Sequence, residues 1–401
     1  MSNEKDPAYF AYYAQFVHQQ NMLQDTVRTS FYQSAIAQNG PDHFKDKIVM
    51  DVGAGSGILS YFALQAGAKM VYAVEASGMA TRIQKMVDAA ITKNPWMHGR
   101  IKVIQGKIED VTDIPLVDTI ISEPIGVLLV HERMLESYLV ARDRFLKPGG
   151  TLIPSAGTIA IAPFTDHNLW LTTMTKVRFW EQDNFYGVDF SPLVDDAREE
   201  IFGQPVVGAF DPRSVLGEAV RHIVDFRTIS MEELQNMTIP IKWKIPYTGI
   251  IHGIAGWFDI DLGGINLSTA PGADRTHWQQ VRFLFKEPLA VNAFETIVGH
   301  MKLVVNQHRS YDITAEVTIV DENAGHSDIV ALDDMESDGS LSRHDPQSFR
   351  RRGGKWGLHE QTYWYAYDPH LQPAVPENRP ELVNLYQPDM ASRGGDVGRL
   401  V

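Results

Sequence analysis

Two carboxylates close together in the chain, Glu123 and Glu132, could do the most specific chemistry in this sequence. Glu123 closes an apolar run in Ser122-Glu123-Pro124, and Glu132 follows within Val130-His131-Glu132-Arg133-Met134-Leu135-Glu136. Carboxylates paired on a short loop hold a metal ion, carry acid–base work on a sugar or ester, or capture a cation. A guanidinium suits the last use, because its planar fork of donors matches two carboxylates. Plainer roles compete: Glu132 can answer a helix dipole, and Glu136 can sit on a solvated face. Glu123 is harder to explain that way, because a carboxylate ending a buried strand needs a partner.

A second cluster is rich in glycine. Val49-Met50-Asp51-Val52-Gly53-Ala54-Gly55-Ser56-Gly57 runs into a helical stretch. Glycine lets the backbone turn sharply and approach a ligand closely. A dinucleotide fingerprint needs a glycine at position 58, where Ile58 stands, so an NAD-dependent oxidoreductase is disfavoured. Gly53, Gly55 and Gly57 instead follow the GxGxG spacing with which methyltransferases lay the amino-acid end of S-adenosylmethionine on a strand-to-helix turn. Glu75 ends the next apolar run, where an acid accepts hydrogen bonds from ribose hydroxyls. Glu109, in Ile108-Glu109-Asp110, follows a third run and can reach an adenine. Each feature has an ordinary explanation alone; their order along one sheet does not.

These groups need a sheet to align them. The pattern predicts strands over 48–52, 70–74, 101–105, 118–122 and 151–153, with a helix over 58–65 and a turn at Lys147-Pro148-Gly149-Gly150. Such alternation gives an α/β fold, a parallel sheet with helices on both faces. Ahead of it, residues 8–39 read as helical and Gly40-Pro41 breaks the pattern. After Pro154 the period becomes two, with Ile239, Ile241, Trp243 and Ile245, then Ile313, Ala315, Val317 and Ile319, which predicts a sandwich or barrel. Residues 176–203 mix Trp180, Phe185, Tyr186 and Phe190 with charges and predict a helical insertion exposing a subunit contact. The acidic stretch 333–345, the proline-rich stretch 369–380, Arg350-Arg351-Arg352-Gly353-Gly354 and Arg393-Gly394-Gly395 predict a mostly flexible tail over 325–401, in which Tyr363, Trp364, Tyr365 and Tyr367 could dock.

Composition sets outer bounds. A length of 401 residues, 44% hydrophobic, suits two domains and a tail. The formal charge of 36 − 50 = −14 argues against direct nucleic-acid binding and favours cationic partners, although solubility alone would account for it. The absence of cysteine excludes disulfides, thiolate zinc sites and cysteine nucleophiles. The first residues are polar, and no apolar run approaches the ~20 residues of a membrane span, which predicts a soluble intracellular protein without a membrane partner.

Four separated segments share a resemblance. Ser122-Glu123-Pro124-Ile125-Gly126 with His131-Glu132-Arg133-Met134-Leu135-Glu136-Ser137-Tyr138 resembles the double-E loop of protein arginine methyltransferases. Tyr9-Phe10-Ala11-Tyr12-Tyr13 resembles the family's YFxxY helix, Asn21-Met22-Leu23-Gln24-Asp25-Thr26-Val27-Arg28-Thr29 its next helix, and Thr276-His277-Trp278 its THW loop. The resemblance spans residues 7–320 and leans toward the coactivator-associated subgroup.

The resemblance implies N-terminal helices over 1–40 that form a lid, a Rossmann-like S-adenosylmethionine-binding domain over 41–154, a β-barrel domain over 155–324 with a dimerisation arm at 176–203, and the tail. It implies that Arg28 binds the cofactor carboxylate, Glu75 the ribose and Glu109 the adenine, with Met22, Asp51 and the three glycines beside them. Tyr9, Phe10 and Tyr13 would fold over cofactor and substrate, Met134 and Trp278 would line the substrate channel, and Glu123 and Glu132 would grip the guanidinium. Asp25 would pair with His277, and either that pair or Glu132 would take the proton that leaves. The implied reaction methylates arginine in proteins such as histones and RNA-binding proteins, needs no metal and leaves S-adenosylhomocysteine. Met22 and Met134 match type I members, which make asymmetric dimethylarginine. A homodimer in nucleus and cytoplasm is expected.

Some positions depart from the subgroup. Ala54 replaces a common cysteine, and Ile125, Val127 and His131 stand where Met, Tyr and Asn are usual, which bears on substrate preference. The subgroup's N-terminal interaction domain and C-terminal activation region are not recognisable, so partner recruitment does not carry over. A methyltransferase of small molecules would explain the glycine loop and Glu75 but give Glu132, Arg28 and His277 no joint role. A silent scaffold of the same fold would be expected to lose Glu123, Glu132 or the glycines. The RGG-like segments also suggest self-methylation at Arg352 or Arg393, with a flexible linker as the plainer account.

Overall fold

The computed structural model describes residues 6–320 and 350–364. The helical opening is divided into α1 (Asp6–Tyr13), α2 (Phe16–Gln24) and α3 (Thr26–Gln38). Asp25 makes the second division, because its side chain accepts the Arg28 N–H at 2.9 Å and caps α3.

Next come β1 (Ile48–Val52), α4 (Ile58–Gln65), β2 (Met70–Glu75), α5 (Met79–Asp88), α6 (Ala90–Lys93), β3 (Ile101–Gln105), β4 (Val117–Ser122), α7 (Met134–Phe145) and β5 (Leu146–Ile153). The strands form one parallel sheet in the order β3-β2-β1-β4-β5, with Val49, Met50, Val71, Ala73, Ile120 and Ile121 fully buried. The strand order reverses between β1 and β4, where Val52 sits beside Ser122. Ligands bind at such a switch point, outside the carboxyl ends of the strands. Gly53 and Glu123, the next residues, therefore leave the sheet side by side. Lys147-Pro148-Gly149-Gly150, expected as a turn, lies inside β5, whose pairing with β4 is irregular between Val117 and Thr119.

The second half is antiparallel: β6 (Ala156–Phe164), α8 (His167–Arg178), α9 (Val194–Phe202), β7 (Val206–Val207), β8 (Val220–Asp225), α10 (Met231–Gln235), β9 (Asn236–Lys244), β10 (Gly249–Asp261), β11 (Asn266–Ser268), β12 (Val281–Val291), β13 (Thr296–Val305), β14 (Tyr311–Val320), β15 (Arg351–Gly357) and β16 (Thr362–Tyr363). One sheet runs β16-β7-β12-β10-β6-β8 with β11 beside β10, and the other runs β15-β14-β13-β9. β15 lies against β12 and β8 against β9, so the two sheets close around a shared core in a barrel. The period-two pattern is realised in β9, where Met237, Ile239, Ile241 and Trp243 point inward.

Two expectations change. The insertion begins earlier than residue 176, because Asp166 caps α8 through the Leu169 N–H, and residues 179–193 are turns and short 3-10 segments rather than continuous helix. Its helices bury Leu169, Val177 and Phe202 against Phe164 and Trp257, while Tyr186 is 93% exposed and Phe179 45%. Part of the tail, expected to be mostly flexible, is a strand. Arg351–Gly357 pairs with β14, Trp356 is buried against Phe283, and Arg351 pairs with Glu316. Glycine and charge are poor strand formers, but burying one tryptophan outweighs them. Arg352, one of the two self-methylation candidates, donates its Nε to the Glu287 and Pro288 carbonyls. Arg393, the stretches 333–345 and 369–380, Tyr365 and Tyr367 lie outside the described residues. Among the described residues, no helix is long and apolar enough to cross a membrane.

Candidate active site

A cavity of about 1440 Å³ opens where the carboxyl edge of the parallel sheet meets the barrel and α1. Its floor is the glycine loop. Gly53, Gly55 and Gly57 have φ of 71°, 54° and 82°, which L side chains rarely adopt. A Cβ at Gly53 would lie 2.8 Å from Met134 Cε, and one at Gly55 would lie 2.9 Å from Gln19 Oε1. Glu75, at the end of β2, accepts from the Gly55 N–H at 2.7 Å and the Ser77 N–H at 2.6 Å. Glu109 accepts from the Ser137 hydroxyl at 2.6 Å.

Asp51 and Gly57 stand behind this wall rather than on it. Asp51 is 1% exposed and accepts from Ser60 Oγ at 2.7 Å, while its Oδ1 has no partner. Burial pushes its carboxyl up to about 7, against the pull of the Ser60 hydrogen bonds.

The two carboxylates of the loop meet different partners. Arg28 donates Nε and Nη2 to Glu123 Oε2 at 3.0 and 2.6 Å, and Glu123 Oε1 accepts the Ile125 N–H at 3.2 Å. Burial disfavours the Arg28 charge, but Glu123 overrides it and holds the guanidinium above its ordinary value. Arg28 and Glu123, assigned from the sequence to two different ligands, thus form one ion pair, and a guanidinium already fits this carboxylate. Glu132 accepts the Tyr13 hydroxyl at both oxygens. Burial raises the Glu132 carboxyl above its usual range; the Tyr13 and Tyr9 hydroxyls and Arg309 oppose this, while Glu123 adds to it.

The loop between them is held in an unusual shape. Leu128, Leu129, Glu132 and Arg133 all have positive φ, a strain that persists only where the surroundings fix it. Trp278 Nε1 donates to the Ile125 carbonyl at 3.0 Å, Arg133 forks onto Glu136 and donates to the Asn306 carbonyl, and His131 Nδ1 bonds Ser310 Oγ at 2.8 Å. Gly126 is required, because a Cβ there would lie 2.2 Å from the His131 carbonyl oxygen. Burial, with His359 nearby, pushes His131 down to about 4, so it is neutral at physiological pH.

Aromatic residues of α1 supply the remaining wall. Tyr9 packs on Phe10 and Tyr13, with ring centroids 5.4 and 4.9 Å apart. Met22, Met134, His277 and Trp278 also line the cavity. Asp25 stands behind it and accepts both the His277 N–H at 2.9 Å and its Nδ1 at 2.7 Å. Sequence reasoning missed Asp6, Gln19, Lys107 and Arg309, which also line the cavity. Asp6 is ion-paired to both Lys107 and Arg309, a contact that joins distant segments and leaves no local pattern.

Residues 155–321 match the arginine methyltransferase oligomerization subdomain family, and residues 37–159 match ribosomal protein L11 methyltransferase. The chain is 43% identical to probable histone-arginine methyltransferase 1.3 of Arabidopsis thaliana, over 93% of this chain and 67% of that one. It is 48% identical to the probable histone-arginine methyltransferase CARM1 of Oryza sativa subsp. indica and 47% identical to the histone-arginine methyltransferase CARMER of Drosophila yakuba, over 76% and 78% of this chain. The chain spans 58% of the length of each of these last two. Among solved structures, Arabidopsis thaliana protein arginine methyltransferase 10 is similar over 87% of this chain and 100% of its own, with a TM-score of 0.70 and 28% identity. The Trypanosoma brucei PRMT1 enzyme–prozyme complex with AdoHcy is similar over 86% and 99%, with a TM-score of 0.69 and 27% identity. A parallel nucleotide-type sheet with a glycine loop, joined to a barrel across a cleft holding two carboxylates, is the architecture of a methyltransferase. The chain belongs to the protein arginine methyltransferase family.

Proposed function

We propose that this protein transfers methyl groups from S-adenosyl-L-methionine to arginine side chains of proteins, histones among them. The observation that carries this is the partly buried carboxylate pair beside the switch point, with a guanidinium already forked onto Glu123. Histones suit the net charge of −14, and the names of the relatives favour them.

The glycine cradle fits the amino-acid end of the cofactor, since a Cβ at Gly53 or Gly55 would fill it. Arg28 would hold the cofactor carboxylate, Glu75 the ribose hydroxyls and Glu109 the adenine. Asp51 would act from behind the loop, and Met22 and Phe10 would pack on the nucleoside. When bound, S-adenosylmethionine supplies an electrophilic sulfonium methyl group.

The chain's own task is to orient a weak nucleophile. A guanidinium keeps its proton at neutral pH and spreads its lone pair over three nitrogens. Glu123 and Glu132 hold the group flat and draw positive charge toward the nitrogens they bind, which leaves the third nitrogen richer in electrons. Alignment can remove ~7–11 kcal/mol of entropic and reorganisation cost. Tyr13, Met134 and Trp278 exclude water around the arginine. The displaced proton passes to the His277–Asp25 pair.

Met22 and Met134 support a type I product, asymmetric dimethylarginine. The exposed aromatic tip between α8 and α9 supports a homodimer. Substrates among histones and RNA-binding proteins would place the protein in nucleus and cytoplasm. Incubation with labelled S-adenosylmethionine, histone H3 and an RGG-rich peptide, followed by hydrolysis, tests the proposal. Labelled asymmetric dimethylarginine is expected. Symmetric product would refute the type I assignment, and no transfer to any protein would refute the activity.

A further inference from the structure

We propose that Arg309 is a positioning residue that latches α1 over the cleft and sets the charge environment of Glu132; this rests on the methyl-transfer function above. Arg309 lies in the turn between β13 and β14, far in sequence from both partners. Its guanidinium is paired with Asp6 at the start of α1 and stacks 4.2 Å from the Tyr9 ring centroid. Its side chain is 16% exposed and lines the cavity with Glu132.

The turn is braced against the loop that carries Glu132. Asn306 Oδ1 accepts the His308 and Ser310 N–H groups, and the Asn306 carbonyl accepts Arg133 Nη1 at 2.8 Å. Ser310 Oγ bonds His131. One turn therefore touches both neighbours of Glu132 in sequence and, through Arg309, the helix whose Tyr13 binds Glu132. Asp6 extends the latch to the nucleotide side, since it also pairs with Lys107 after β3. Closing α1 thus joins the two halves of the cleft through Asp6.

The charge has a second effect. Glu132 faces Tyr9 and Tyr13 from α1, Glu123 from the end of β4 and Arg309 from this turn. Arg309, itself paired with Asp6, is the cation that acts on Glu132 in that set, while the Arg28 guanidinium is taken up by Glu123. It opposes the rise that burial causes in the Glu132 carboxyl and so favours the ionised form, which holds a guanidinium. A residue that merely caps its turn would do neither.

The test compares wild type with Arg309→Gln, Arg309→Lys and Asp6→Asn. Three readouts apply: hydrogen exchange of residues 6–13, calorimetric affinity for S-adenosylhomocysteine, and the pH dependence of kcat/KM on an H3 peptide. Arg309→Gln should speed exchange in α1, weaken S-adenosylhomocysteine about tenfold and move the acid limb to higher pH. Asp6→Asn should reproduce the first two effects, but because the Arg309 charge remains, its acid limb should lie below that of Arg309→Gln. Arg309→Lys should restore the acid limb and only part of the protection, since an ammonium keeps the charge but not the planar stacking. Unchanged exchange in Arg309→Gln, or an unmoved acid limb, would overturn the proposal. Exchange needs no turnover, so a wild type that methylates no protein would refute the proposed activity and leave the latch still decided by this readout.

Discussion

Tyr13 donates its hydroxyl to both carboxylate oxygens of Glu132, at 2.9 Å to Oε1 and 2.8 Å to Oε2. The two residues are 119 positions apart, so folding α1 onto the sheet makes the contact. Burial raises the Tyr13 hydroxyl far above its ordinary range, and Glu132 adds to this, so the tyrosine stays a donor throughout the working pH range.

Removing that donor should expose the cost of keeping Glu132 charged. A hydrogen bond to a charged group contributes ~1.5–3 kcal/mol, or about 10- to 100-fold. Tyr13→Phe should lower kcat/KM by that order. It should also move the acid limb of the pH profile upward, because Tyr13 holds the Glu132 carboxyl down. An acid limb identical to wild type would show that Glu132 does not titrate in catalysis.

The two carboxylates should separate when each is neutralised. Glu123→Gln leaves the Arg28 guanidinium buried without its counter-ion, a change that costs about 3–5 kcal/mol in buried pairs. It should lower the melting temperature as well as activity. Glu132→Gln removes a charge that burial already disfavours, so it should abolish methyl transfer while leaving the melting temperature level or higher. Calorimetry beside activity assays distinguishes the two; equal destabilisation would contradict this division of labour.

Much of the sheet was legible because its signals are local. β1, β2, β3 and β4 announce themselves as short apolar runs, and the glycine loop and Glu75 sit at their carboxyl ends. The pairing of Arg28 with Glu123 was not legible, because both residues are charged and each had a ligand to meet. The strand Arg351–Gly357 was hidden for a related reason: its Arg and Gly content reads as linker, and only the burial of Trp356 in the barrel reveals the pairing. Arg309 left no trace at all, since its partners Asp6 and Tyr9 lie at the other end of the chain.

Asp51 should make stability fall as pH rises. Its folded value of about 7 lies above the ~3.9 of an unfolded aspartate, so the folded state binds the extra proton between these values. Stability is therefore highest below the unfolded value and declines as pH climbs through the folded one. Asp51→Asn cannot ionise and should gain on wild type by about 2–3 kcal/mol between pH 5 and pH 8. Denaturant melts at both pH values measure it, and a pH-independent difference would mean that the folded Asp51 carboxyl titrates where the unfolded one does.

The exposed tip of the insertion predicts an association that charge would break. Tyr186, Phe179 and Val188 are large apolar groups left in solvent, and such patches on folded proteins mark contact sites. Phe179→Asp with Tyr186→Asp should convert a dimer to monomer in sedimentation velocity at micromolar concentration. A wild type that sediments as a monomer would remove the dimer from the proposal.

The His277–Asp25 pair should act on the chemical step rather than on binding. Asp25 accepts two hydrogen bonds from His277 and one from the Arg28 backbone, and although burial opposes its charge, these bonds hold its carboxyl below the ordinary range. It is thus fixed as an anion behind the imidazole. His277→Ala should lower the single-turnover rate by about 10²-fold, the low end for a positioned acid–base group, with S-adenosylhomocysteine affinity unchanged. Asp25→Asn should slow the same step and also cost ~1 kcal/mol of stability through the lost cap on α3. Wild-type single-turnover rates in His277→Ala would assign the proton to Glu132 instead, because Glu132 also lines the cavity and burial raises its carboxyl above the usual range.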